Sequence, residues 1–255
     1  MKDFWEGQAK KFKYNVQTVN FDPLCEDLEM TFLETLIKDG DVICDVGCGN
    51  GRTLIELAKK KKNAKFYGVD FIPQMIDIAN EKKNEMNLKN IFFYKSDAAT
   101  ENLAKLFDFK FDKIITKRLL INVKGKSKHQ AIKNIHALLK ENGTYIMIEC
   151  FLEPLNKINK IRTELNLEEI KVKTFNEYLP FKFLDDIEDK FVIEKKIDFG
   201  SLYYFISRIF NASLSEGDPD YFSPINKLAL KLTKMGVSPI EGYSPEIIIL
   251  LKKIS

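Results

Sequence analysis

Asp45-Val46-Gly47-Cys48-Gly49-Asn50-Gly51 is the segment whose residue types and spacing speak most directly of chemistry. Glycines at alternate positions accept positive φ and let a ligand approach the main chain closely. A helix that starts behind such a turn offers N–H groups with no internal partner. The spacing is G-x-G-x-G, with Arg52 where a dinucleotide-binding turn carries its last glycine, and no G-x-x-x-x-G-K-[ST] phosphate loop occurs. Asp45, just ahead of the first glycine, repels a pyrophosphate and suits an ammonium group. Both departures count against an NAD-type dehydrogenase. Asp70 follows about twenty residues later, where an acid accepts hydrogen bonds from the two hydroxyls of a ribose. Asp97, in Ser96-Asp97-Ala98, is placed at the same sheet edge to receive an adenine amino group.

These residues need strands to carry them. Asp41–Val46, Lys65–Asp70, Asn90–Lys95, Phe111–Thr116 and Gly143–Glu149 read as five strands. Helical patterns separate several of them: Arg52–Lys62 with Leu54, Leu57 and Ala58 inward, a helix from Pro73, and Ser127–Lys140. Alternation of this kind gives parallel βαβ units and a doubly wound α/β sheet. After Phe151 the pattern loosens into mixed helix and loop to about Leu184. Phe191–Ile197 reads as a sixth strand and Glu246–Lys252 as a seventh. The long insertion between these two holds Tyr203, Tyr204, Arg208, Tyr221 and a helix near Ile225–Met235, and has the length of a lid. The chain is read as one domain over 1–255. It comprises an N-terminal arm and helix (1–38), a ligand-binding core (40–150), a substrate-side connection and lid (151–245) and the last strand (246–255).

Composition narrows the function classes. The 255 residues are 45% hydrophobic and 30% charged, which is globular and excludes disorder or low complexity. A net charge of +3 gives no basic stripe for a nucleic acid or an anionic membrane. Only four of the 40 basic residues are Arg, so each is a candidate for bidentate recognition. Four Cys without C-x-x-C spacing and two His offer few zinc ligands, and no metal is expected. MKDFWEGQAKK lacks an apolar signal region and no apolar run approaches a membrane span, so a cytoplasmic location is expected.

In combination, DVGCGNG, the strand end GVD and the SDA step resemble the class I S-adenosylmethionine-dependent methyltransferases. FDKIIT with KRLLINV, LLKENGTYIMIE and the C-terminal EIIILLKK resemble that family's fourth strand and loop, fifth strand and last, antiparallel strand. Asn142 replaces the proline usual before the turn glycine. The resemblance covers about residues 40–150 and the final ten. It implies a mainly parallel seven-stranded sheet of order 3-2-1-4-5-7-6, with an N-terminal helical arm and a helical insertion between strands six and seven. It implies S-adenosyl-L-methionine as cofactor and S-adenosyl-L-homocysteine as product. Asp45 with the backbone of Gly47 and Gly49 is then expected to hold the methionine part and Asp70 the ribose. Phe71 and Met75 are expected against the adenine, and Asp97 beside Ala98 at its amino group.

Methyl transfer is an in-line displacement that relies on positioning, with a base only where the nucleophile must lose a proton. His129, in the first turn expected for the helix opened by Ser127-Lys128-His129-Gln130, is the candidate base. Arg118 and Asn122 follow strand four, where Arg118 is a candidate for holding a phosphate or carboxylate and Lys117 faces the cofactor. Tyr203, Tyr204 and Arg208 are candidates for closing over the substrate, and Tyr14, in the arm with Trp5, for the methionine carboxylate. The expected acceptor is a small molecule methylated at oxygen, such as a sugar, a phosphorylated metabolite or a phosphoramidate-type capsule precursor. The stretch from Arg118 through Glu149 also resembles methyltransferases of bacterial capsule and surface-sugar synthesis. Alternatives are N-methylation of a small amine, favoured by a carboxylate-rich acceptor pocket, and a non-catalytic cofactor-binding partner subunit. The absence of a [DN]-P-P-[FYW] motif after strand four disfavours nucleic acid, and a monomer or homodimer is expected.

Overall fold

The computed structural model describes residues 2–15, 22–217 and 219–254. Of the expected arm (1–38), residues 1 and 16–21 lie outside this set, as do residue 218 of the lid and residue 255 of the last strand. Seven strands form one sheet: β1 Val42–Val46, β2 Lys65–Asp70, β3 Ile91–Lys95, β4 Phe111–Lys117, β5 Leu139–Cys150, β6 Phe191–Ile197 and β7 Glu246–Lys253. Their order is β3-β2-β1-β4-β5-β7-β6, as expected. The first five pair in parallel, and β7 runs antiparallel to both β5 and β6.

Helices cover both faces because β1, β4 and β7 carry apolar side chains on each side. One face packs under α2 (Pro23–Leu36), α3 (Arg52–Lys60), α4 (Pro73–Glu85) and α9 (Pro224–Lys234), through Leu28, Leu54, Ile55, Ile76 and Ala229. The other packs under α5 (Ser127–Leu138) and the segment around Phe183 and Leu184. The N-terminal arm forms α1 (Lys2–Phe12), whose Ala9 and Trp5 pack on Ile72 and Met75 of the β2–α4 region. After β5 the chain makes α6 (Leu152–Glu164). The insertion between β6 and β7 begins as α7 (Ser201–Phe205), widens into a π-helical turn at Ile206–Asn211 and ends as α8 (Ala212–Leu214) before α9.

Two local signals set helix starts. Asp22 caps α2, accepting from the N–H groups of Leu24 and Cys25, and Pro73 stands in the first turn of α4. The helix expected to reach Lys140 stops at Leu138, because Leu139 already pairs with Phe111 in the sheet. Asn142, in the left-handed region at φ 59°, then absorbs the irregular register before Gly143. The Ser127-x-x-Gln130 capping box does not form, since Lys126 is the residue at the cap. No helix among the described residues is long and apolar enough to cross a membrane.

Candidate functional site

A cavity of ≈ 350 Å³ opens over the carboxyl ends of the parallel strands. In such sheets this is where ligands sit, because the loops there diverge around a crevice. Its two halves are built differently.

The half over β1 and β2 is made of main chain and two carboxylates. Gly47 (φ 85°) donates its N–H to Val69 O at 2.7 Å, which folds the turn back onto β2. A Cβ on Gly47 would stand 2.9 Å from Leu119 Cδ1, the tip of a flexible side chain, so it is the positive φ that favours glycine here. The Gly49 N–H donates to Asp70 Oδ2 at 2.9 Å, and the Ile72 N–H donates to Asp70 Oδ1 at 2.9 Å. Each of these oxygens keeps a second lone pair for a hydroxyl. Burial pushes the Asp70 carboxyl up to about 6, against the lowering effect of those N–H groups. Asp45 is 2% exposed, and its Oδ1 has no partner among the described residues. Burial raises it to about 7, opposed by the Lys117 charge. Asp45 lines the cavity, and a buried carboxylate there with an unpartnered oxygen has the chemistry to receive a cationic donor. Phe71, Met75 and Trp5 supply an apolar wall.

The other half is a network of side-chain ion pairs. Lys117 Nζ lies 2.7 Å from Glu26 and 2.8 Å from Glu29, and bonds Thr53 Oγ1 at 3.2 Å. Arg118, itself in the left-handed region at φ 56°, reaches Glu29 at 2.6 Å, Glu26 at 3.4 Å and Glu246. Burial pushes Glu246 up to about 8, with Arg118 opposing. Farther along, Arg208 Nη2 donates to Asp22 Oδ2 at 2.7 Å, and the guanidinium lies 4.7 Å from the Tyr204 ring and 5.1 Å from that of Tyr221. The π-helical turn carries Arg208 into the cavity wall; the extra residue per turn is a device common at functional sites.

The structure brings together Asp45, Gly47, Gly49, Asp70, Phe71, Met75, Lys117, Arg118, Asn122, Tyr204 and Arg208, all of which line the cavity. The other expected residues lie outside the lining. Asp97 lies beside the cavity rather than in its lining, with Oδ1 accepting from the Ala99 N–H at 2.8 Å, and Ala98 is buried with its carbonyl bonded by Asn134. Tyr14 is not in the lining either: its ring packs near Lys82 and Arg52, and its hydroxyl is buried with no partner among the described residues. Tyr203 is fully buried and donates to Asp22 Oδ1 at 2.8 Å, so it is core. His129 is exposed at the start of α5 beside Phe183 and outside the lining, which removes the geometric basis for a base there. Arg118 lines the cavity, but three carboxylates already occupy its guanidinium, which is not the arrangement expected for clamping an anion. Sequence reasoning missed Asp22, Glu26, Glu29, Asn176 and Glu246. Glu26 and Glu29 did carry a signal, for acids three apart share a face with the buried Leu33.

The family described as "Methyltransferase domain" matches residues 37–191. The chain belongs to this methyltransferase family. It is 29% identical over 153 residues to a carboxy-S-adenosyl-L-methionine synthase of Nautilia profundicola, covering 60% of this chain and 62% of that protein. It is 29% identical over 151 residues to a ribosomal protein L11 methyltransferase of Caldanaerobacter subterraneus subsp. tengcongensis, covering 59% and 45%. The matches thus span roughly half to six tenths of these relatives. Among solved structures, a geranyl diphosphate C-methyltransferase of Streptomyces coelicolor with S-adenosyl-L-homocysteine aligns at TM-score 0.56 and 13% identity, over 90% of this chain and 78% of that one. A magnesium protoporphyrin IX methyltransferase from Synechocystis aligns at TM-score 0.56 and 16% identity, over 99% and 94%. At these identities the likeness to the solved structures is one of fold. Membership makes S-adenosylmethionine the cofactor class.

Proposed function

We propose that this chain transfers a methyl group from S-adenosylmethionine to a small acceptor enclosed in the cavity. The observation that carries the reading is the unpartnered Oδ1 of Asp45 beside the positive-φ turn at Gly47, with Asp70 anchored behind it. Bound there, the cofactor supplies an electrophilic methyl. Asp45 would hold its ammonium group, Asp70 its ribose hydroxyls, and Phe71, Met75 and Trp5 its adenine side. These residues position and exclude water, which is the main demand of a displacement reaction.

The acceptor class within this reading follows from what the cavity leaves free. A phosphorylated acceptor clamped by Arg118 is disfavoured by the pairing of Arg118 with Glu26, Glu29 and Glu246. The same pairing, and that of Arg208 with Asp22, speaks against a site for the carboxyl carried by the product that the carboxy-S-adenosyl-L-methionine synthases are named for. A neutral capsule-sugar hydroxyl remains a member of the small-acceptor class. Calorimetric titration with S-adenosylhomocysteine, S-adenosylmethionine, NAD and ATP tests the reading. Micromolar binding of the first two alone is expected, and binding of NAD or ATP instead would overturn it.

A further inference from the structure

The segment 168–178, which follows α6, contains no helix or strand, yet six of its residues line the cavity and it is fixed at several points. Arg162 Nε donates to Glu168 O at 2.6 Å. Asn159 grips the main chain of Ile170 on both sides: its Nδ2 donates to Ile170 O at 3.1 Å, and its Oδ1 accepts from the Ile170 N–H at 2.9 Å. Ile170, Val172 and Tyr178 then pack with Leu155, Ile158 and Tyr204. Farther along, the Phe175 ring meets that of Phe4 in α1 at 4.3 Å, and the Lys173 ammonium lies 5.8 Å from the Phe175 ring and 5.9 Å from the Phe4 ring. Six basic residues line the cavity. Lys117, Arg118 and Arg208 are bound to carboxylates, and Arg52 stands at the glycine turn. The remaining two, Lys171 and Lys173, are the exposed ones. The acids of the lining, Asp22, Asp45, Asp70 and Glu246, are all buried, while Glu168 and Glu169 of the same segment are exposed and stand outside it. The rim is therefore positive, over an interior whose own cations are paired.

On the methyl-transfer reading above, we infer that the acceptor is an amphipathic anion, with a carboxylate or phosphate held at the rim by Lys171 and Lys173 and an apolar body against Ile170, Phe175, Tyr178 and Tyr204. The position of the anion follows from competition among the cations. Glu26, Glu29, Glu246 and Asp22 hold those inside, so an anion drawn inward meets carboxylates, whereas at the rim it meets two ammonium groups. Lysines two residues apart on one anchored strip, both reaching the lining, can share one anion. A single exposed ion pair contributes little because water screens it. Lys173 is partly withdrawn from water against the two rings, and burial lowers its pKa, so an anion beside it regains part of what desolvation costs. The body follows from the walls. Aliphatic and aromatic surface is covered favourably by a ligand that is itself apolar, while the hydroxyls of a sugar phosphate would lose water there without gaining partners.

The test begins with the full chain saturated by S-adenosylhomocysteine, whose own titration decides the methyl-transfer reading independently. Phenylpropionate, phenylpropyl phosphate, phenylpropanol and phenylpropylamine, which share one body, are then titrated separately at neutral pH and low salt, with glycerol phosphate as an anion without that body. At least one of the two aryl anions is expected to bind about five-fold or more tightly than the alcohol, the amine binding most weakly, and the tighter anion tells carboxylate from phosphate. Glycerol phosphate is expected to bind at least about ten-fold more weakly than phenylpropyl phosphate. Raising the salt to about 0.5 M should bring anion and alcohol within about two-fold, because exposed charges are screened. Lys171→Gln and Lys173→Gln together should do the same at low salt, on a sample shown by its melting curve to be folded. Equal or tighter binding of the alcohol or the amine, no binding of either aryl anion, glycerol phosphate binding as tightly as phenylpropyl phosphate, or an undiminished anion preference in the double variant overturns the inference while leaving the cofactor reading intact. Failure of S-adenosylhomocysteine to bind overturns both.

Discussion

The two halves of the cavity solve opposite electrostatic problems. The half at the glycine turn leaves carboxylates short of partners: among the described residues Asp45 has an oxygen without a partner, and Asp70 is held by main-chain N–H groups. The other half pairs its inner charges: Lys117 and Arg118 are shared among Glu26, Glu29 and Glu246, and Arg208 is bound to Asp22. On the proposed function the first arrangement stores recognition, because a cationic ligand group would complete it. The second stores architecture, because removing any member strands a buried charge. A charged residue lining a cavity is thus no guide to binding until its partners are counted.

Breaking the second arrangement has the largest expected effect. Arg118→Ala uncovers the buried Glu29 and Glu246 together and is expected to cost about 3–5 kcal/mol of stability, read by urea unfolding. A loss confined to acceptor KM, with stability unchanged, would return Arg118 to a substrate-binding role. Asp45→Asn makes the reverse case. It should weaken S-adenosylhomocysteine binding by about 1.5–3 kcal/mol, the worth of a hydrogen bond to a charged group, while thermal stability stays level or rises. A parallel loss of stability and affinity would erase the distinction between the halves.

The same contrast has a pH signature. Burial holds Asp45 near 7 and Asp70 near 6, above the value of about 3.9 for a free aspartate. The native chain therefore binds these protons more tightly than the unfolded one. Their contribution to stability is largest below about pH 4 and is lost as pH rises through the native values. An ammonium group requires the ionised carboxylate, so affinity for S-adenosylhomocysteine should rise over that upper window. Titrations at about pH 5.5 and 8 check this, and Asp45→Asn should flatten the slope. Gly47→Ala tests the joint between the halves: positive φ and the contact with Leu119 predict a loss of about 1–2 kcal/mol in melting experiments. Smallest of all is His129→Ala. Exposed and outside the cavity, it should leave turnover and melting temperature unchanged, and a collapse of turnover would reinstate it as a base.

The contrast also explains what was legible. The glycine turn, Asp45 and Asp70 lie within one βαβ unit, where strand ends and helix starts dictate who meets whom. The strand order followed from the family resemblance. Asp97 lies outside the cavity lining, and its side chain serves its own turn, an alternative open to any aspartate after a strand. Tyr203 and Tyr204 are adjacent, yet one is core and one lines the cavity; the direction each takes is set by the packing of α7. Asn176 sits in an irregular segment with no period to mark it.

By itself the sequence determined the doubly wound sheet, the crevice at its carboxyl edge and the glycine turn beside it, since these depend on hydrophobic period and on a glycine turn, both local properties. Only the tertiary structure decided the acceptor half. Arg118 meets Glu29 across 89 residues and Glu246 across 128, and Arg208 meets Asp22 across 186. Contacts at such separations leave no periodic trace in a single chain. Whether a charge is spent on a partner or kept for a ligand is settled when the elements pack, because burial then makes every unmatched charge costly.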